Sequence, residues 1–386
     1  MSKYHKKRHF LQNKKKSYFW TLPLFVSSQT TIVCEDTNNG REHYIFNTTY
    51  FLAMLDSIQK ILLIQFRPFG DILLSTAYLE YLKQKFPNSH IHYLCNPPFE
   101  SIIEEHPFVD KILTIPFIKG FWRYWQLKAW LKIRKEKYDL VIDQQSGTES
   151  KLFVLFSGAK YRLGWKEGKW SFLCNLKAPE APHIYSPFRN LYMVRPLGIE
   201  ADQIKLYVTI SEKGKQIAHD FLEENQLFGK TIIGIEASCK DPDKRWHSAG
   251  FELFINKLLE KTDFYVLLLS APAQRNDLDI LSQKIASKRV LIAPPTPSMR
   301  EAAAILEKIN FLVCHEGALN HLSCATQTPA LCLIGQTNHL IWSAQGFVKN
   351  HRHLKNLDWQ NDGSNDFGID ADQVFAVFLE MMQALD

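Results

Sequence analysis

Short apolar runs alternate with longer amphipathic ones, and the alternation starts afresh after residue 210 of a 386-residue chain. Together these observations predict an α/β fold of two Rossmann-like, doubly wound domains facing a cleft. The length exceeds one ordinary core. With 46% hydrophobic and 22% charged residues, the chain has apolar material for two.

In the first unit, "KILLIQF" (60–66), "HIHYLC" (90–95), "KILTIP" (111–116) and "DLVIDQ" (139–144) read as strands. Continuous Ile, Leu and Val runs of this length suit strands of a parallel sheet covered on both faces. The stretches 71–86, 98–106 and 120–136 between them have helical patterns. In the second unit the strands are 231–238, 264–271, 289–294, 311–316 and 329–335, and the helices are 248–261, 274–287, 298–309 and 317–326. An amphipathic stretch at 370–384 is a last helix. The expected divisions are a basic extension (1–57), an N-terminal domain (58–205), a C-terminal domain (206–365) and the final helix (366–386).

The formal charge of +6 belongs to an appendage. Residues 1–16 hold seven Lys and Arg and no acid, so the body is near −1. A solvated, disordered tail is the plain reading, and contact with anionic lipid or RNA the functional one. No specific nucleic-acid partner is expected. The apolar patch at 18–26 is too short and too broken by proline to be a signal peptide. No segment reaches the roughly 18 apolar residues of a spanning helix. The expected location is cytoplasmic, with possible contact at the inner face of the membrane. Met54, just before the first strand, is a candidate start of an older, shorter chain. Seven scattered cysteines without a CxxC pair indicate reduced, mostly buried thiols.

Neither a G-x-G-x-x-G fingerprint nor a Walker lysine motif follows the first strand of either unit, which argues against a nicotinamide or flavin dehydrogenase and a P-loop enzyme. Acidic D-x-D pairs at 241–243, 277–279 and 370–372 read as solvated surface rather than metal ligands. Three places remain. "RPFGD" (67–71) puts Asp71 at a strand-to-helix turn, where it suits a helix N-cap and also the carboxyl edge at which open α/β sheets bind ligands. "CKDPDKRWHSAGF" (239–251) offers Lys240, Lys244 and Arg245 ahead of a helix, either a diphosphate seat or a solvated loop, with Trp246 packing the loop down. "CHEGALNHLSCATQTPALCLIGQT" (314–337) runs a strand into Glu316-Gly317-Ala318 and opens a helix carrying His321. Small residues there leave room for an anion. Taken singly, Glu316 is more often a cap and His321 a core histidine.

These blocks, with "YDLVIDQQSGTESKLFVLFSGAKYRLGW" (138–165), resemble glycosyltransferase family 9 in order and spacing over roughly residues 58–345. The resemblance implies the GT-B architecture and an inverting transfer that needs no metal and no cofactor. It implies an ADP-sugar donor, ADP-heptose above all, on the second domain, and a lipid-linked saccharide acceptor of the lipopolysaccharide core type on the first. It makes Asp71 the general base and sets Arg67 beside the acceptor. Ser238, Lys244, Glu316, Gly317, Ala318 and His321 are then the donor-binding residues. The last block departs from the commoner D-[ST]-G form, since Glu316 carries an extra methylene and Gly317 no hydroxyl. The rival reading is a GT-B protein that holds a nucleotide or nucleotide sugar without transferring it.

Overall fold

The computed structural model describes residues 58–116, 122–180, 182–360 and 363–385, together with a two-residue antiparallel pairing of Thr31–Ile32 with Phe46–Asn47. Expectations for the tail at 1–16, the patch at 18–26 and Met54 lie outside the described residues.

Two six-stranded parallel sheets carry the chain from residue 57 onward. The first contains β1 (Lys60–Ile64), β2 (His90–Cys95), β3 (Lys111–Thr114), β4 (Leu140–Asp143), β5 (Tyr161–Trp165) and β6 (Leu176–Ala178), in the order β3-β2-β1-β4-β5-β6. The second contains β7 (Ile232–Glu236), β8 (Tyr265–Leu269), β9 (Val290–Ile292), β10 (Phe311–His315), β11 (Ala330–Leu333) and β12 (His351–Leu354), in the equivalent order β9-β8-β7-β10-β11-β12. In this order the chain reverses direction across the sheet between β1 and β4, and again between β7 and β10. Each reversal opens a crevice at the carboxyl ends of those strands. The two Rossmann-like sheets make the GT-B fold.

The helices are α1 (Phe69–Ser75), α2 (Leu79–Lys85), α3 (Trp122–Lys135), α4 (Thr148–Ser157), α5 (Ser186–Val194) and α6 (Glu212–Glu224), followed by α7 (Ser248–Lys261), α8 (Arg275–Ile285), α9 (Met299–Leu306), α10 (Ala318–Thr326), α11 (His339–Trp342) and α12 (Ala371–Gln383). Leu62, Ile64, Val141 and Phe153 centre the first core. Trp246, Phe254, Phe311 and Phe378 belong to the second, where the Phe378 ring from α12 meets Phe311 edge-on at 5.1 Å.

Several elements differ from expectation. The helix expected at 71–86 starts at Phe69, and a 3₁₀ turn at Thr76–Tyr78 interrupts it. Ser75 Oγ and Thr76 Oγ1 donate back to the carbonyls of Ile72 and Leu73, both at 2.6 Å, which draws that turn tight. The helix expected at 98–106 is only a 3₁₀ turn, Phe99–Ile102, after a Pro-Pro pair that supplies no backbone N–H. β5, β6 and β12 were not expected as strands.

The sheets' domains are joined by side chains as well as by chain. Arg300 on α9 is buried and donates to Glu104 at 3.1 Å, to Glu105 at 2.7 Å and to the Thr209 carbonyl at 2.7 Å. Asn190 Nδ2 donates to the Leu74 carbonyl within the first domain, fixing α1 to α5. Among the described residues the thiols are free: Cys95, Cys174, Cys314, Cys324 and Cys332 are buried and Cys239 half-buried.

Candidate active site

β1 delivers the chain to the crevice, and Pro68 turns it into α1. Pro68 is the N-cap residue in extended conformation and makes no side-chain cap. Asp71 is therefore not the cap. It sits within the first turn, where the helix's N-terminal N–H groups favour a carboxylate. Arg67 Nη1 lies 3.5 Å from Asp71 Oδ1, with the arginine mostly in solvent. Burial raises the Asp71 pKa above the ordinary carboxylate range, while Arg67 and then Lys244 pull it back. Lys244 belongs to the second domain, so its field reaches the first-domain carboxylate across the crevice.

Gly70 shows how closely the domains approach. A Cβ there would stand 3.1 Å from His321 Cδ2, so a larger residue would have to move the ring. His321 lies on the first turns of α10 and is buried. Burial and the nearby Lys244 charge push its pKa down to about 3, so it is a neutral imidazole at neutral pH. Its Nδ1 is buried without a hydrogen-bond partner. An unmatched polar atom beside a crevice can take a ligand group at no cost in protein bonds.

Glu316 follows β10. Its Oε2 is 2.5 Å from Lys244 Nζ, with side-chain exposures of 5% and 32%. The contact is an ion pair without hydrogen-bond alignment, since the same oxygen lacks a hydrogen-bond partner. Gly317 is the extended N-cap of α10, and nothing lies within 4 Å of the place its Cβ would occupy. There is therefore room beside Gly317, next to the N–H groups that begin α10.

The loop after β7 is pinned by Trp246, as expected. The indole is fully buried, and its Nε1 donates to the carbonyls of Asp366 at 2.9 Å and Ile369 at 3.2 Å. The Trp246 backbone N–H donates to His315 Nε2 at 3.0 Å, which leaves the His315 proton on Nδ1. That Nδ1 is 3.8 Å from Glu236 Oε2, beyond hydrogen-bond reach. Glu236, at the end of β7, was missed in the sequence because it hides in an apolar run. It is buried and its pKa is pushed up to about 8: desolvation raises it, the His315 N–H bond opposes, and the Glu316 charge adds. At neutral pH it is largely the neutral acid, next to a Glu316 that is paired with Lys244.

Ser238 lies elsewhere in the loop. Its Oγ donates to Asp277 Oδ2 at 2.5 Å, and Arg245 Nη1 donates to the same oxygen at 3.0 Å. Asp277 thus helps to support the loop while its side chain stays 44% exposed at the surface, as expected. Asp370 caps α12 and accepts from Gln373 N at 2.7 Å, and Asp241 accepts from Asp243 N at 3.2 Å, so these acids also have local structural work. Lys240 is exposed. Among the described residues, the one three-membered set of potential metal ligands is His219, Asp220 and Glu223 on the exposed face of α6, which shares nothing with the crevice.

A further feature was not legible in sequence. Beyond the carboxyl ends of β8 and β9 lies a cavity of about 270 Å³ walled by Leu268, Leu278, Pro294, Thr296, Ile305 and Leu319. It is mostly apolar, and Leu319 ties it to the first turn of α10. Asp71, Lys244, Glu316 and His321 therefore meet in one crevice, next to an open helix N-terminus and close to an apolar cavity. A cation and free N–H groups suit an anionic leaving group, and a desolvated carboxylate opposite them suits proton removal.

The profile of glycosyltransferase family 9 (heptosyltransferase) matches residues 126–362. Lipopolysaccharide heptosyltransferase 1 of Salmonella typhimurium is 26% identical over 328 residues, 78% of this chain and 97% of that protein. The glycosyl transferase family 9 structure from Veillonella parvula superposes with a TM-score of 0.73 at 16% identity, over 84% of this chain and 97% of that one. E. coli heptosyltransferase WaaC with ADP-2-deoxy-2-fluoro heptose superposes with a TM-score of 0.65 at 19% identity, over 83% and 99%. With a profile match over more than half its length, the chain belongs to glycosyltransferase family 9, the heptosyltransferase family.

Proposed function

We propose that this enzyme moves a heptose or closely related sugar from an ADP-sugar to a lipopolysaccharide core-type, lipid-linked acceptor, with inversion and without a metal. The observation that carries the reading is the meeting of Asp71, from the first domain, with Lys244, Glu316 and His321 of the second. Asp71 takes the proton of an acceptor hydroxyl as that oxygen bonds to the anomeric carbon. The bond from that carbon to the diphosphate oxygen breaks on the opposite face, and ADP leaves with the electron pair. Lys244 and the N–H groups at Gly317 and Ala318 stabilise the charge growing on the diphosphate. The raised Asp71 pKa favours the step, because a carboxylate at the ordinary value of about 3.9 is a weak base. The apolar cavity beside Leu319 accepts the flat base of the nucleotide, and the neutral, unpartnered His321 accepts or donates one bond to the donor. In the family to which the chain belongs, WaaC has been crystallised with an ADP-heptose analogue, which supports the donor class.

The test is a thermal-shift screen of the purified protein against ADP- and UDP-sugars, followed by mass analysis of product from the stabilising donor and a lipopolysaccharide core-type acceptor. ADP release with a heptosylated product, unchanged by EDTA, is expected. Stabilisation by an ADP-sugar with no transfer to any acceptor would leave the binding-protein reading in its place. Loss of transfer in EDTA with recovery in Mg²⁺ would overturn the metal-free mechanism.

A further inference from the structure

Half of the large apolar side chains exposed among the described residues fall between 127 and 172: Leu127, Leu131, Leu155, Phe156, Trp170 and Phe172. They form one face. Leu127 and Leu131 are one turn apart on α3, and Trp130 between them stacks on Phe156 of α4 at 4.4 Å with 20° between ring planes. The turn at Ser171–Leu173, which carries Phe172, packs against α4. Phe172 is 74% and Leu131 53% exposed, values too high for side chains serving the core.

The same stretch is basic. Residues 122–180 hold twelve Lys and Arg against six Asp and Glu, although the body from residue 17 onward is close to neutral. Lys132 and Lys135 on α3 and Lys169, next to Trp170 in the chain, are exposed. Apolar residues that protrude from a cationic rim are the pattern of a surface that dips into a lipid headgroup layer. A second copy of this chain would set one cationic face against another, which like charges oppose.

We propose that the α3–α4 face of the first domain, with the Trp170–Phe172 turn, docks on an anionic lipid bilayer. The inference rests on the reading that the acceptor is lipid-linked, and it gives that reading a geometry: the acceptor-side domain meets the membrane, with Asp71 carried on the same domain. The attraction differs from that of a basic tail, which is purely coulombic and weakens as the Debye length shrinks to about 8 Å. Apolar insertion persists in salt.

The test is co-sedimentation of the full chain with phosphatidylcholine vesicles containing one-third phosphatidylglycerol, at about 0.15 M salt. Leu131→Ser/Phe172→Ser removes two protruding groups, and Lys132→Glu/Lys169→Glu reverses two rim charges. All proteins keep residues 1–16. The wild type is expected to bind, and each double variant to bind at least tenfold more weakly, with unchanged melting temperature and unchanged turnover of a soluble, delipidated acceptor. Variants that sediment like the wild type would overturn the proposal. So would a wild-type dimer, seen by sedimentation velocity without vesicles, that the Leu131→Ser/Phe172→Ser variant splits, since a second copy would then cover the face. Vesicle binding is read without turnover, so failure of the docking face and failure of the transferase reading show separately.

Discussion

Replacing Lys244 with methionine does two separable things. It removes the cation proposed to hold the donor diphosphate, and it leaves Glu316, whose side chain is 5% exposed, without its partner. Breaking a fully buried pair from one side costs about 3–5 kcal/mol. Lys244 is a third exposed, so water screens part of the loss, and about 1–3 kcal/mol is the expectation. A domain of this size then melts lower by about 2–4 °C per kcal/mol. A lost charge-assisted bond to phosphate adds about 1.5–3 kcal/mol to the ADP binding free energy, roughly a 10- to 150-fold weaker Kd. The second substitution, Glu316→Gln, removes the stranded charge. The double variant should therefore regain most of the melting temperature and none of the ADP affinity. Scanning calorimetry and titration calorimetry with ADP on the wild type, both single variants and the double variant read the two effects independently. ADP affinity within twofold of wild type in Lys244→Met would refute the diphosphate role. A melting temperature that Glu316→Gln fails to restore would refute the ion-pair account.

Gly70→Ala is expected to crowd His321 Cδ2, costing about 1–3 kcal/mol of stability and lowering both activity and donor affinity, and wild-type kinetics would show that the ring moves aside freely. Glu236 tests the pH dependence of the fold. Its folded pKa of about 8 is above the unfolded value, so its contribution is fully present below the unfolded pKa of about 4.5 and is lost as pH rises through about 8. Glu236→Gln mimics the neutral acid, so it should match wild type in melting temperature near pH 5 and exceed it near pH 8.5. A gap that does not vary with pH would mean that Glu236 does not titrate there. A chain that begins at Met54 is expected to fold and to turn over a soluble acceptor like the full chain. An insoluble or inactive product would show that residues 1–53 pack onto the fold.

The central strands of both sheets were legible because Ile61 to Ile64, Ile232 to Ile235 and Phe311 to Cys314 are continuous apolar runs with no other way to be buried. β5 and β12 were not, since "YRLGW" and "HRHL" lie toward the far sides of their sheets and carry polar residues that break the pattern. Asp71 was legible as a site residue from its place after β1. Its capping role was misread because Pro68 starts the helix three residues before it. Lys244, Glu316 and His321 stood out as charged or polar groups beside small residues at strand ends. Glu236 was invisible for the opposite reason: its neighbours are apolar, and only the pairing of β7 with β10 brings it next to Glu316. The cavity behind β8 and β9 is made by Leu, Pro and Ile side chains from four separate segments, and no local pattern reports such a convergence.

The central claim is that one carboxylate on the first domain performs the proton transfer while the second domain holds the leaving group. Asp71→Asn tests it most directly. The side chain makes no helix cap and its pairing with Arg67 is partly exposed, so the amide should fold nearly as the wild type does and differ chiefly in its inability to take a proton. Single-turnover transfer from the donor and acceptor that the screen identifies, measured beside ADP affinity and melting temperature, separates chemistry from binding. The account predicts that the rate of transfer falls by at least a hundredfold, as expected for loss of a general base at about 10²–10⁴, while ADP affinity and melting temperature stay at wild-type values. Transfer at the wild-type rate by Asp71→Asn would contradict it.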